Sequence, residues 1–568
     1  MASIVKKKVR GHLYYYLVQS QRVNGKPRIV WQKYLGKAED VARILAEGTA
    51  PQPETVKVFE FGAVAALYSL AQQLKLVETI DAHVPKRAQG ASVGQYLLIA
   101  TLNRCLAPKS KRQIAPWYAS TSLRRWLGIK PELLTSQLFW DHMGYLGEQE
   151  IRQIEEEITQ RVVETHHLDL RCLVYDTTNF FTYIDTNTDS ELPRRGKSKA
   201  KRNDLQQVGL ALLVSTDFHV PLFHVPYAGN IHDSVEFKAV TTDLAERYRL
   251  VSKGCEHITL VYDKGNNSAD NLAALQQSPY HFVGSLVPSQ HKDLLAIPRQ
   301  EFTPLVGERF EGVCARRTQK KVFGVERTVV VTFNEALLTG QMQGIQANLQ
   351  KTMAALEQLR QKLKDRAEGK VTRGKAPTAQ STLALVKRLL AKRHIWGLIR
   401  VEVMEKTNQR KPQIELSYAL DQAALQNLKE HSLGKTILFT DNSSWTTEEI
   451  VAAYRGQSAV EDAFKRMKDP HFLSWSPMFH WTDQKIRVHA FYCVLALTLC
   501  SLLRRELHGL GLDLSIPAVL ETLSNIHEVA LVYPGRGRRK NPLVLSERDL
   551  LQQKIFDALH LEKLAPTT

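Results

Sequence analysis

The chain has 568 residues, of which 43% are hydrophobic and 24% charged, a composition that supports several domains with a sizeable core. Its formal net charge of +18 makes a polyanion the first partner to consider. The six cysteines are scattered, without a CxxC or a paired Cys/His spacing, which argues against a zinc module and fits a reducing, cytoplasmic compartment. The N-terminus lacks the apolar run of a signal peptide, and the most hydrophobic stretch, residues 490–503, is too short to span a bilayer, so no membrane partner is expected.

Residues 1–55 form a basic β unit suited to touching DNA. Positions 9–35 alternate as strands do around Asn24-Gly25, a hairpin signal, with Lys6, Lys7, Lys8, Arg10, Lys26 and Arg28 close by. Residues 56–168 turn helical, with breaks at Pro85, Gly90, Pro108 and Pro131. Lys109, Arg112, Trp117, Arg124 and Trp126 interleave charge with aromatic rings there, as a helical DNA-binding region or plain helix packing would.

Residues 169–287 carry the clearest pattern, an α/β succession. A run at 171–176 ends in Leu-Val-Tyr-Asp at Asp176, and a second at 257–263 repeats those four residues, ending at Asp263. Between them lie strand-like runs at 208–214 and 220–227, joined by a turn at Asp217-Phe218, and a helical stretch at 234–247. A short helix at 269–277 and a strand at 281–287 follow. Sheets of this kind present their chemistry at the C-terminal ends of buried strands. A lone terminal aspartate is usually a turn residue, whereas two in one tetrapeptide context suggest a site.

Residues 288–439 read as an insertion, with strands at 325–333, 399–404 and 414–419. Its helices at 341–364 and 381–392 suit a helical hairpin or a coiled-coil partner surface. Residues 440–510 resume the core with one helix at 446–469, started by the capping box Thr446/Glu449 and stopped by Asp469-Pro470. At 100° per residue, Ala453, Val460, Ala463, Phe464 and Met467 share an apolar arc. Tyr454, Gln457, Glu461, Lys465 and Lys468 line the neighbouring stripe, which alone would also fit a solvated face with a Glu461–Lys465 pair. Residues 511–568 form a helical, basic tail with Arg536, Arg538, Arg539 and Lys540 in one loop.

Asp176, Asp263 and Glu461 come from three separate elements, and like charges so placed raise one another's pKa unless a cation joins them. Hard oxygen donors without His or Cys favour Mg²⁺ or Mn²⁺, commonly as two ions per site, and the matching reaction is phosphodiester cleavage or transfer. Arg194, Arg195, Lys197, Lys199, Lys201 and Arg202 crowd the loop after Asp176 and would attract a DNA backbone. Gly196-Lys197-Ser198 is not a P-loop, because Glu191 stands where that motif needs glycine.

These residues resemble the bacterial and archaeal insertion-sequence DDE transposases that carry the YREK signature, Tyr-x2-Arg-x3-Glu-x6-Lys. Tyr454, Glu461 and Lys468 match in type and spacing, while Gln457 replaces the arginine. Asp176 in YDTTNFF and Asp263 in YDKGNNS look like the family's first two carboxylates, and Gly229-Asn230 and the stretch 477–489 are also similar. The resemblance spans about residues 170–503. It implies an RNase H-like core, a mixed sheet flanked by helices, with a β-rich and helical insertion before the last catalytic helix.

It further implies metal-dependent cutting of double-stranded DNA at terminal inverted repeats, a hairpin intermediate and joining to target DNA by a homodimer that synapses two ends. Tyr454 and Lys468 would then hold phosphates, and Gln457 and Lys465 would lie beside them. Trp445 and Asn442 would contact a flipped base, or serve as a packing anchor at the helix entrance. The alternatives are a structure-selective nuclease that cuts without joining, and a domesticated DNA-binding protein.

Overall fold

The computed structural model describes residues 2–567 apart from 10–11, 24–25, 48–52, 86–89, 186, 188, 197–201, 232–234, 236, 238–241, 244–246, 248–257, 279, 409–410, 472 and 534–540. The hairpin tip Asn24-Gly25, the basic loop residues Lys197, Lys199 and Lys201, most of the expected helix at 234–247 and the tail loop at 536–540 lie outside the described residues.

In chain order, β1 (Ala2–Val9), β2 (His12–Val23) and β3 (Lys26–Gly36) precede α1 (Ala38–Glu47) and β4 (Thr55–Glu60). A helical region follows, including α2 (Val93–Leu106) and α3 (Glu148–His166). Next come β5 (Cys172–Thr182), β6 (Gln206–Ser215), β7 (Pro221–Ala228), β8 (Ile258–Val261), α4 (Ala269–Gln276) and β9 (Tyr280–Ser285). The stretch expected as an insertion holds β10 (Thr303–Pro304), β11 (Val313–Val322), β12 (Val325–Asn334), α5 (Glu335–Ala367), α6 (Ala379–Leu390), β13 (Ile399–Asn408) and β14 (Lys411–Leu420). β15 (Lys435–Thr440) closes that stretch, and after it come α7 (Thr447–Arg455), α8 (Gln457–Lys468), α9 (Asp483–Gly509), β16 (His527–Val532) and β17 (Leu543–Leu545).

The chain forms two compact units, one of Met1–Ser69, Ala115–Leu133 and Leu507–Thr568, the other of Leu70–Ile114 and Leu134–Glu506. The first holds two three-stranded sheets, ordered β1-β2-β3 and β17-β16-β4. In its core the Phe61 ring meets Trp126 edge-on at 5.8 Å. Glu528 is fully buried on β16 and pairs with Arg125 at 2.7 Å.

The second unit is mixed α/β, built on a nine-stranded sheet ordered β10-β11-β12-β15-β9-β8-β5-β6-β7. Strands β5, β8 and β9 run parallel, and the remaining pairs are antiparallel. β6 is buried along its whole length, which is why it reads as a nearly unbroken apolar run instead of alternating. Gly209 admits its neighbour here: a Cβ would lie 2.3 Å from the Tyr227 ring of β7. Part of the expected insertion extends this sheet, because β12 pairs with β15, which in turn pairs with β9. Local alternation predicted β12, β13 and β14, missed β10, β11 and β15, and carried no information about which sheet any of them would join. The helical hairpin α5/α6 packs with the separate ribbon β13-β14.

Helix α9 is long and apolar enough to cross a membrane, but its apolar stretch is 94% buried inside the protein, as a core helix would be.

Candidate active site

The parallel register brings the two aspartates level. Val174 of β5 pairs with Val261 of β8, and Val261 with Val283 of β9. Two residues further along each chain stand Asp176, Asp263 and Ser285. Side chains two apart share a face and neighbouring strands lie about 4.8 Å apart, so Asp176 and Asp263 are lateral neighbours. Both are half-buried.

The strand does not end at Asp176 as its sequence pattern suggested. β5 continues to Thr182 and stays paired with β6, Asp176 opposite Leu212. It is β8 that stops, at Val261, and Asp263 then caps a 3-10 turn. Asp176 therefore sits in mid-strand, at the point where its parallel neighbour departs. Its carboxylate accepts the Thr177 N–H at 2.8 Å.

The expected single helix at 446–469 is two helices interrupted at Gly456, which keeps helical dihedrals. The Thr446/Glu449 capping box forms as anticipated. The Gly456 carbonyl accepts a hydrogen bond from His219 Nε2 at 3.0 Å, a side chain inserted where the helical ladder is interrupted. His219 follows Phe218 in the β6–β7 turn, and both have positive φ, 55° and 54°. Such strain in bulky residues persists where surrounding structure holds it, and here Arg505 pairs with Asp217 in the same turn at 2.5 Å.

Past the break, α8 packs over β5. Lys468 Nζ donates to Thr178 Oγ1 at 2.5 Å. Thr178 lies two residues beyond Asp176, on the same face of the strand, so the end of α8 lies over the face that presents Asp176. Tyr454, on α7, donates its hydroxyl to Ser285 Oγ at 2.7 Å. Burial pushes the Tyr454 phenol up to about 12, the charges of Asp263, Glu461 and Asp176 push it the same way, and the Ser285 bond opposes them. All three carboxylates thus lie within electrostatic reach of one hydroxyl.

Glu461 itself is exposed. Among the described residues no three His, Cys, Asp or Glu side chains stand close enough to share one metal ion. The two aspartates belong to neighbouring parallel strands, and the glutamate is on the helix that packs over β5. Mutual repulsion of like charges favours that separation.

The other expected site residues are distributed unevenly. Gln457 is 6% exposed, so it is packed inside and does not line the accessible stripe. Lys465 pairs with Asp462 at 2.8 Å and not with Glu461. Arg194 is half-buried, bridged to Gln207 and bonded to the Pro193 carbonyl at 3.0 Å, while Arg195 is exposed. Arg202 is exposed and forms a two-pronged pair with Asp204 at 2.9 and 2.8 Å. Trp445 is half-buried with its carbonyl accepting from Arg317 at 2.6 Å, and Asn442 is buried.

Sequence reading missed Ser285, Thr178 and Trp475. Ser285 was signalled only by its place at the end of the third apolar run. Trp475 stacks on Phe180 of β5 at 4.4 Å and 9°, a contact no local pattern announces.

Two acidic residues at adjacent parallel strands, a third on the helix packed over them, and a lysine bonded to Thr178 of β5 gather at one edge of a mixed α/β sheet. The chain belongs to the transposase DDE domain family, whose model matches residues 181–499. Asp263 and Glu461 fall within the match, and Asp176 lies just before it. No curated protein matches the chain. Solved structures with some likeness include a piggyBac transposase synaptic complex with hairpin DNA, at 8% identity and TM-score 0.36 over 81% of this chain and 78% of that one. Another is the Mos1 transposase paired-end complex with left transposon end, at 11% identity and TM-score 0.15 over 37% and 63%. The Mos1 mariner paired-end complex with Mn follows at 11% and 0.15 over 43% and 72%.

Proposed function

We propose that this chain is an active insertion-sequence transposase of the YREK type, with Asp176, Asp263 and Glu461 as its catalytic carboxylates on an RNase H-like core. The observation that carries the reading is the parallel β5/β8 register, which brings Asp176 and Asp263 to neighbouring strands beneath the helix that bears Glu461 and Lys468. The donor set is entirely hard carboxylate oxygen, which fits Mg²⁺ or Mn²⁺. Asp176 and Asp263 would hold two ions, with Glu461 brought in from α8, and when bound these ions neutralise phosphate charge and ready a hydroxyl for attack.

The chain's own residues position the DNA. Lys468, anchored beside Asp176 through Thr178, holds a backbone phosphate, and Tyr454 stays protonated and donates to a neighbouring one. Arg194 and Arg195 draw the strand toward the strand ends. The cycle is cleavage at the terminal inverted repeat, attack of the freed 3′-hydroxyl on the opposite strand to form a hairpin, reopening, and insertion into target DNA. A homodimer in the cytoplasm, on the nucleoid, would pair two ends.

Asp176→Ala, Asp263→Ala and Glu461→Ala should each abolish Mg²⁺-dependent strand cleavage and leave salt-sensitive DNA binding intact. Cleavage surviving any one of them removes that residue from the centre. Offering a pre-cleaved 3′-hydroxyl end separates transposase from nuclease, since only the former makes products longer than its input.

A further inference from the structure

We infer that the open face of the N-terminal sheet β1–β3 is a duplex-DNA docking surface, distinct from the acidic centre, and that the opposite face of the same sheet is not. The inference rests on the reading of the chain as a DNA-handling enzyme and assigns the face that holds the duplex. Residues 1–36 contain eight Lys and Arg and no Asp or Glu.

The cross-strand register sorts these charges. Ile4 pairs with Leu17, and Leu17 with Lys33, so these three share one face. Gln19 pairs with Trp31 on that same face, and alternation along β1 adds Lys6 and Lys8, opposite Tyr15 and Leu13. The other face carries Val5, Tyr16 and Tyr34, then Lys7 with Tyr14, and Val18 with Gln32.

The two faces differ in cover. Val18 is 1% exposed, and α1 packs against β2 and β3, so the tyrosine face is the covered one. Its rings cluster, Tyr16 to Tyr34 at 5.2 Å. Its described cation Lys7 is exposed like its neighbours but is engaged on that face: Lys7 Nζ donates to Gln32 Oε1 at 3.0 Å and lies 4.8 Å from the Tyr16 ring. On the open face Lys6, Lys8 and Lys33 are exposed, and Ile4, Leu13 and Trp31 are 52%, 47% and 48% exposed.

An apolar face left to water beside three cations, with no acid in the sheet, fits a partner that is both anionic and flat-sided. Three strands span roughly 10 Å, close to the roughly 12 Å width of the DNA major groove. Some DNA readers place strands in a groove. The lysines would meet phosphates along the groove edges, and Trp31 and Leu13 would meet sugar or base edges.

The sheet supplies its own control, because Lys6, Lys7 and Lys8 are consecutive but alternate in face. Binding of the full-length protein to a duplex taken from the DNA flanking the reading frame, and to an unrelated duplex, is measured from 50 to 300 mM KCl. Lys6→Gln and Lys8→Gln should each lower the slope of log affinity against log salt by about 1 and weaken binding several-fold. Lys7→Gln, with the same loss of charge, should leave the slope unchanged. Trp31→Ala should weaken binding without changing the slope.

Equal effects from all three lysines would reduce the result to net charge and overturn the proposal, as would no effect from any. A change in oligomeric mass by light scattering, with the DNA slope intact, would make this face an interface between copies and overturn it too. Normal binding by the lysine variants alongside loss of cleavage in Asp176→Ala would sink only this proposal. Cleavage surviving Asp176→Ala with the lysine effects intact would sink only the catalytic assignment.

Discussion

Lys468 and Lys465 occupy the same helix stripe, yet the structure gives them different work. Lys468 reaches Thr178 beside Asp176, whereas Lys465 is paired with Asp462. A charge-assisted hydrogen bond to phosphate is worth about 1.5–3 kcal/mol, so Lys468→Ala should slow single-turnover strand cleavage by roughly 10-fold or more. Lys465→Ala should change it by less than about 3-fold. Equal losses in the two variants would mean that helix charge as a whole, and not the Lys468 position, is being measured. Sequence spacing put both lysines on one stripe, but only the three-dimensional partners separate them.

At the scale of elements, the break at Gly456 separates α7, which carries Tyr454, from α8, which carries Glu461. There the Gly456 carbonyl accepts one hydrogen bond from a positive-φ turn, through His219 Nε2. Asparagine, with its short polar side chain, is one of the few residues that enter the left-handed region readily, and it is too short to reach that carbonyl. His219→Asn should therefore keep or slightly raise the melting temperature while lowering cleavage several-fold with DNA affinity unchanged. Unaltered cleavage would show that this bond does not position Glu461. The Thr446/Glu449 box and the Asp469-Pro470 stop were legible because capping is local chemistry. The His219 contact at the break was not, because its donor is 237 residues away in sequence.

Within the larger unit, long-range tethers hold the segment that follows α8. Arg104 on α2 is 2% exposed, and its guanidinium donates to the carbonyls of Ser474, Ser476 and Pro477 at 3.1, 3.0 and 3.1 Å. Between those residues Trp475 stacks on Phe180 of β5, linking the tether to the strand that bears Asp176. Arg104→Gln should cost on the order of 3–5 kcal/mol, since buried carbonyls lose a charged donor, and should open residues 470–482 to limited proteolysis. An unchanged cutting pattern would count against this role.

Glu506, on α9, makes the same unit sensitive to pH. Burial raises its carboxyl to about 6, with Arg505 opposing. A carboxyl raised in the folded state contributes stability below about pH 4.5 and loses it as pH rises through about 6, here about 2 kcal/mol. Glu506→Gln should therefore melt higher than the parent chain at pH 7.5 and gain nothing at pH 4. A gain of equal size at both pH values would exclude ionisation as its origin.

The amino-acid order by itself determined the parts whose causes lie within a few residues. The two Leu-Val-Tyr-Asp runs, the capped helix start and the basic alternation of residues 1–36 follow from side-chain period, capping and charge. Only the tertiary structure decided that Asp176 lies in mid-strand level with Asp263, that Ser285 and Thr178 receive Tyr454 and Lys468, and that Gln457 is buried. It also decided that β11 and β12 widen the main sheet and that the face bearing Lys7 is the one α1 covers. Strand pairing and helix docking depend on contacts between residues far apart in sequence, and a pattern with a period of two or 3.6 residues holds no record of which distant partner completes it.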